Sequence, residues 1–189
     1  MIQGMPRMQN YAKIIIFAIK KISAMKEKEI KTLIKVYNYE ELPAEDRELV
    51  DAAKAMTSKS YAPYSKFHVG AAIRMEGGEI VTGSNQENAA YPSGTCAERT
   101  AAYWASAQHP GVAMKKIAIA AWTRLHHEDS DPDEDCFQRL PVSPCGACRQ
   151  ALLEYETLYG DIEVILYGLD CVYVLPSVKS LLPLSFTEF

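Results

Sequence analysis

The chain has 189 residues, 48% of them hydrophobic, with 24 acidic side chains against 20 basic ones and a net charge of −4. That length suits one domain around one core, because a second core would be cramped. The acidic balance lacks the clustered basic face that a phosphate backbone demands, so a nucleic-acid partner is not expected.

Near the amino terminus, Ile14 to Ile19 is apolar but bounded by Lys13 and by Lys20 and Lys21. It is much shorter than the roughly 20 residues of a membrane-spanning helix, so no membrane partner is expected. Ile22-Ser23-Ala24 only poorly imitates a signal cleavage site, and a start at Met25 is the simple alternative. Residues 1–43 read as an amino-terminal extension of unassigned role ahead of a folded domain over 44–189.

Pro43, Glu45 and Asp46 followed by Leu49, Val50, Ala53 and Met56 predict a helix that ends near Ser60. Phe67 to Met75, Gly77-Gly78 and Glu79 to Gly83 predict two strands joined by a glycine turn. The alanine-rich run from Thr95 to Gln108 favours helix, with Thr95 as the amino-terminal cap, and His109-Pro110-Gly111 stops it. Lys116 to Trp122 suits a buried strand, and Gly146 to Tyr155 a further helix. Strands near Ile162 to Tyr167 and Val172 to Leu175 follow, then a short helical turn before Leu181. This order implies an α/β fold, a mixed sheet covered by helices on both faces. Between Thr123 and Leu140, the acid-rich segment over 124–139 reads as a surface excursion, since a run of like charges repels itself and has nothing to bury. On composition its His126 and His127 belong to that polar loop and not to a second metal site.

Five cysteines, Cys96, Cys136, Cys145, Cys148 and Cys171, form an odd set. Their best-spaced members read as metal ligands and not as a disulfide framework, which predicts a reducing, cytoplasmic location. Cys136 and Cys171 read as an exposed thiol and a strand core residue. Cys96 with the Cys145-x-x-Cys148 pair leaves one position of a tetrahedral zinc open, the hallmark of a catalytic as opposed to a closed structural site. Glu98, two residues after the lone cysteine, can reach water at that position without ligating the metal. Three thiolates leave the site formally at −1, and two helix amino termini together with the Arg99 guanidinium can offset that charge. Asn85 and Glu87, two apart at a strand end, share a face and could together bind a vicinal hydroxyl.

The blocks Tyr61 to Gly70, Asn85 to Pro92, Cys96 to Ala101, Ser143 to Gln150 and Leu181 to Phe186 resemble, in order, the small homotetrameric cytidine deaminases. The resemblance implies a three-layer α/β/α fold with a mixed five-stranded sheet and one Zn²⁺ per subunit, held by Cys96, Cys145 and Cys148. It also implies hydrolytic deamination of cytidine and deoxycytidine to uridine and deoxyuridine, with Glu98 as the proton shuttle and Arg99 hydrogen-bonded to the cysteine ligands. Asn85 and Glu87 would hold the ribose 3′-hydroxyl, and Phe67 would pack against the base. The backbone of Ala97 and Glu98 would read the base carbonyl and ring nitrogen, and the Ser143 carbonyl would contact the departing amino group. Phe186 would reach into a neighbouring subunit's site in a homotetramer. Tyr64 and Tyr91 lie in matched blocks without an assigned contact, and His68 stands where the family usually has proline, beside the base pocket. Two rivals are a related zinc deaminase acting on a modified pyrimidine nucleoside or a blasticidin-type antibiotic, and a non-catalytic zinc-binding or thiol-redox protein in which Glu98 is incidental.

Overall fold

The structure, a computed structural model, describes residues 27–123 and 137–187. The apolar amino-terminal stretch, Met25, His126, His127, Cys136 and most of the acid-rich segment lie outside the described residues. Residues 27–31 are exposed and lack regular secondary structure. The compact unit runs from Thr32 to Phe189.

Its centre is one mixed sheet of six strands: β1 (Lys35–Tyr37), β2 (Phe67–Met75), β3 (Ile80–Ser84), β4 (Met114–Thr123), β5 (Glu163–Tyr167) and β6 (Val172–Leu175). The spatial order is β1-β6-β5-β4-β2-β3. β4 and β5 run parallel, and the other neighbouring pairs are antiparallel. The expected five strands are therefore six. The addition is β1, which pairs Lys35 with Val174 and Tyr37 with Val172 at the sheet's edge. The mixed α/β architecture is otherwise as expected.

Among the described residues three α-helices cover the sheet: α1 (Ala44–Thr57), α2 (Ala97–Gln108) and α3 (Gly146–Tyr159). The acids Glu45 and Asp46 in the first turn of α1 suit its positive end. Its buried Leu49, Val50 and Ala53 pack on one sheet face against Ala72, Ala118, Ala120 and Ile165. On the other face Ala97, Ala101, Ala102 and Ala105 of α2 and Leu152 and Leu153 of α3 meet Ala71, Ile73, Met75 and Ile117. Successive residues of β2 thus serve opposite cores, as a strand's period of two requires.

Two glycines set how close the helices come. A Cβ on Gly70 would lie 2.0 Å from the Ala53 carbonyl oxygen of α1, and one on Gly83 would lie 2.5 Å from the Ala101 nitrogen of α2. The backbone approach on both faces is closer than any side chain permits. α2 begins one residue later than a Thr95 cap would have it. Cys96 takes the cap position, because Thr95 exchanges two backbone hydrogen bonds of 2.9 Å with Gln86 and is held in extended pairing.

Candidate active site

β3 leads into α2, and β4 leads, through the segment over 124–145, into α3, so the amino termini of the two helices meet at one end of the sheet. Cys96 is the cap residue of α2 and Cys145 that of α3, both in extended backbone conformation. Cys148 follows in the first turn of α3 and is buried. The three sulfurs lie within 4.8 Å of one another, with 3.9 Å between Cys96 and Cys145 and 3.4 Å between Cys145 and Cys148. A disulfide would hold its sulfurs at about 2.05 Å. Zinc–thiolate bonds of about 2.3 Å in a tetrahedron put the sulfurs about 3.8 Å apart. The observed spacing fits one zinc and no disulfide.

Glu98, in the first turn of α2, is 5% exposed. Burial pushes its carboxyl up from the usual range, and the negative charge of Cys96 adds to that, against hydrogen bonds from its own backbone N–H and from the Cys148 thiol. Arg99 brings Nη2 to 3.7 Å from the Cys96 sulfur, and hydrogen bonding to Cys96 holds its guanidinium firmly charged. Its Nε is buried and finds no hydrogen-bond partner among the described residues. Cys96 is pulled down to about 5, first by a hydrogen bond from Cys148 and, against its burial, by Arg99. Cys148 is pushed up by donating that bond and by its burial. The Arg99 guanidinium and the amino terminus of α2 beside Cys96 both favour its thiolate form.

Asn85, Glu87, Tyr91, Thr95, Cys96 and Arg99 line a cavity of about 300 Å³. Asn85 is tied down: its Oδ1 accepts from the Val69 N–H at 2.8 Å and its Nδ2 donates to the Phe67 carbonyl oxygen at 2.9 Å. One amide hydrogen and one lone pair are left over. Glu87 Oε2 accepts from the backbone N–H groups of Tyr64 at 2.9 Å and Ser65 at 3.2 Å. Burial raises its pKa, but the bonds from Ser65 and Tyr64 outweigh that and keep the carboxyl below its ordinary value. Tyr64 and Tyr91 meet edge-on at 6.2 Å.

Phe67, Ser143 and Phe186 do not line that cavity. Phe67 is half-buried at the start of β2, on the α2 face with Val69 and Ala71. Ala97 is fully buried, and with Glu98 it belongs to the first helical turn, whose N–H groups have no intrahelical acceptor. Ser143 is exposed, and its Oγ accepts from Arg149 at 2.9 Å. Phe186 is 65% exposed, and its carbonyl oxygen accepts from Gln150 Nε2 at 2.7 Å. His68 points to the opposite sheet face, where its Nδ1 lies 2.9 Å from Ser60 Oγ and its ring stacks edge-on against Trp122 at 4.7 Å. It therefore stays out of the space beside Phe67. Arg149 had no assignment from sequence, where a cation after the second cysteine of a pair looks like a solvated one. In the structure it makes three hydrogen bonds.

Comparison with known proteins places this geometry. A family description, "Cytidine and deoxycytidylate deaminase zinc-binding region", matches residues 43–159. A cytidine deaminase of Sporosarcina psychrophila is 38% identical over 141 residues, covering 74% of this chain and 90% of that protein. A blasticidin-S deaminase of Bacillus cereus is 32% identical over 144 residues, covering 76% of this chain and 94% of that one. The crystal structure of a cytidine deaminase from Burkholderia pseudomallei superposes with a TM-score of 0.59 at 39% identity, covering 74% of this chain and 97% of that chain.

Proposed function

The chain belongs to the family of cytidine and deoxycytidylate deaminases that share this zinc-binding region, and on that premise we propose that it hydrolyses cytidine and deoxycytidine to uridine and deoxyuridine with release of ammonia. The observation that carries this reading is a buried carboxylate, Glu98, beside three cysteine sulfurs spaced for one zinc. Cys96, Cys145 and Cys148 would hold zinc, one ion per subunit, which would supply Lewis-acid activation of water.

Glu98 takes a proton from the attacking water and delivers it to the pyrimidine ring nitrogen. It then helps protonate the departing amine, so that one water enters and one ammonia leaves. Arg99 offsets the charge of the thiolates and orients Cys96. Asn85, through its remaining donor and acceptor, and Glu87, through Oε1, hold the ribose hydroxyl. Both side chains are already immobilised by their backbone bonds, so little ordering is left to the substrate. Phe67 packs against the base, the backbone of Ala97 and Glu98 reads its carbonyl and ring nitrogen, and the Ser143 carbonyl receives the amino group.

Phe186 serves a neighbouring subunit in a homotetramer. What supports this is the exposure of the tail's apolar side chains, 82% for Leu184 and 65% for Phe186. The catalytic domain, expected over 44–189, also takes in β1 as an added edge strand, within the compact unit that starts at Thr32. The location is cytoplasmic, supported by free Cys96, Cys145, Cys148 and Cys171. Among the described residues no helix is long and apolar enough to cross a membrane.

The likeness to a blasticidin-S deaminase favours one second reading, a modified nucleoside as substrate. Ammonia release from cytidine, deoxycytidine and blasticidin S, with zinc measured on the same samples, separates these. Turnover of both simple nucleosides is expected, at about one zinc per chain. Release from blasticidin S alone installs the second reading. Zinc without any turnover leaves only the non-catalytic rival.

A further inference from the structure

One cation on α3 has bonding that the proposed chemistry does not use. Arg149, half-buried next to Cys148, reaches three acceptors on two separate segments. Its Nε donates to the Pro144 carbonyl oxygen at 2.7 Å, its Nη2 to Ser143 Oγ at 2.9 Å and its Nη1 to the Leu181 carbonyl oxygen at 2.9 Å. Two of these acceptors belong to the segment that enters the C-x-x-C, and the third belongs to the carboxy-terminal tail. The neighbouring Gln150 holds the far end of the tail, donating to the Phe186 carbonyl oxygen at 2.7 Å. Two turns further along α3 the buried Glu156 accepts from the N–H groups of Val178 at 2.7 Å and Lys179 at 2.9 Å. The tail is thus gripped by α3 at its start, middle and end. Of the three gripping side chains, Arg149 alone also holds the cysteine-bearing segment.

We propose that Arg149 is a positioning residue that locks the carboxy-terminal tail to Ser143–Pro144, so that the segment serving this chain's own nucleoside site and the tail lent to a neighbour's site hold each other in place. The proposal rests on the reading of Ser143 and Phe186 as substrate-facing. A guanidinium suits this task because its planar fork sends donors in several fixed directions at once, which a lysine ammonium on a flexible stem does not do. Pro144 is buried, so its carbonyl needs an internal donor, and a charged donor gives a stronger bond than a neutral one. A solvated arginine on a helix surface would not spend its side-chain freedom on three protein acceptors. Without Arg149 the tail keeps the grips of Glu156 and Gln150 but loses its tie to Ser143. Cys145 and Cys148 keep their helix-end positions, so zinc binding persists while Ser143–Pro144 and the tail come apart.

The test uses the zinc-loaded protein with Arg149→Met, Arg149→Lys and Gln150→Ala, and reads backbone hydrogen exchange over 143–147 and 182–187. In Arg149→Met both segments exchange about tenfold faster or more, as expected for the loss of charge-assisted bonds. Arg149→Lys lies between this variant and the parent, and Gln150→Ala accelerates 182–187 alone. In the same samples Arg149→Met raises KM for cytidine about tenfold, with kcat changed less than KM and zinc still bound. Acceleration of one segment only in Arg149→Met, or an unchanged KM, overturns the proposal. If the Met variant does not fold, the Lys variant decides: parent-like exchange in both segments overturns the proposal. Exchange requires no substrate, so a parent protein that fails to deaminate cytidine refutes the proposed function while the tie between the segments is still read.

Discussion

The two faces of the sheet handle charge in opposite ways. On the α1 face every prominent cation is occupied with holding elements together. Lys116 Nζ lies 2.6 Å from Asp46, 3.1 Å from Glu45 and 3.1 Å from Glu163, joining β4 to α1 and β5. Lys54 Nζ sits 4.7, 5.0 and 5.6 Å from the ring centres of Tyr167, Phe137 and Tyr39. On the α2 and α3 face the helices pack mainly through alanines and leucines, the buried Glu156 ties α3 to the tail, and the charge left for chemistry is gathered at the two helix amino termini, around Cys96, Glu98, Arg99 and Cys148. Among the described residues Glu98 is buried there without an ion-pair partner, whereas the buried Glu156 is satisfied by backbone N–H groups, and a carboxylate left that way marks a functional site. The contrast teaches that stability and chemistry are separable by face.

The sharpest way to break that separation is Glu98→Gln. The amide is nearly isosteric but cannot accept a proton, so kcat is expected to fall by at least about 10²–10⁴, with zinc content and Tm near those of the parent. A variant within tenfold of the parent in kcat would remove Glu98 from the chemistry. Arg99→Gln comes next. It leaves the thiolates without their fixed cation, and zinc affinity is expected to drop by about 10–100-fold in a chelator competition. The α1 face should answer differently. Gly70→Ala forces a methyl group against the Ala53 carbonyl and is expected to cost about 1–3 kcal/mol in denaturant unfolding, while kcat per folded molecule stays near the parent's.

The smallest effect is in pH. Burial holds His68 below its ordinary pKa, with Glu87 opposing that shift and Lys66 adding to it. The unfolded chain therefore takes up this proton at higher pH than the folded one does. The contribution is present above about 6.5 and is lost as pH falls through that value toward the folded pKa. His68→Gln should accordingly lose less Tm than the parent between pH 7.5 and 5.5, by on the order of a degree. A parent that gains relative to the variant on acidification would reverse the sign.

The cysteine cluster was readable in the chain because its chemistry is written in contiguous residues: a cysteine two before a glutamate, and a pair at C-x-x-C spacing ahead of a helix. The hairpin and the three helices were readable because their periodicities are local. β1 was not, since three residues carry no period and Val36 is exposed, so only its non-local pairing with β6 defines it. The side of the sheet taken by His68 was in principle available, because alternation from Phe67 sends it to the α1 face. Arg149 could not be read, since its acceptors at Ser143 and Pro144 and at Leu181 come together only when α3 docks beside the tail.

Cys96 and Cys145 stand 49 positions apart in the chain, and zinc shared between them acts as a clasp on the unfolded polymer as well as a reagent. A cross-link closing a loop of that size removes roughly 4 kcal/mol of conformational entropy from the disordered ensemble. The ion that would activate water in the proposed reaction would therefore also shorten the leash on just over a quarter of the chain, so stripping it would free that loop as surely as it would stop the chemistry.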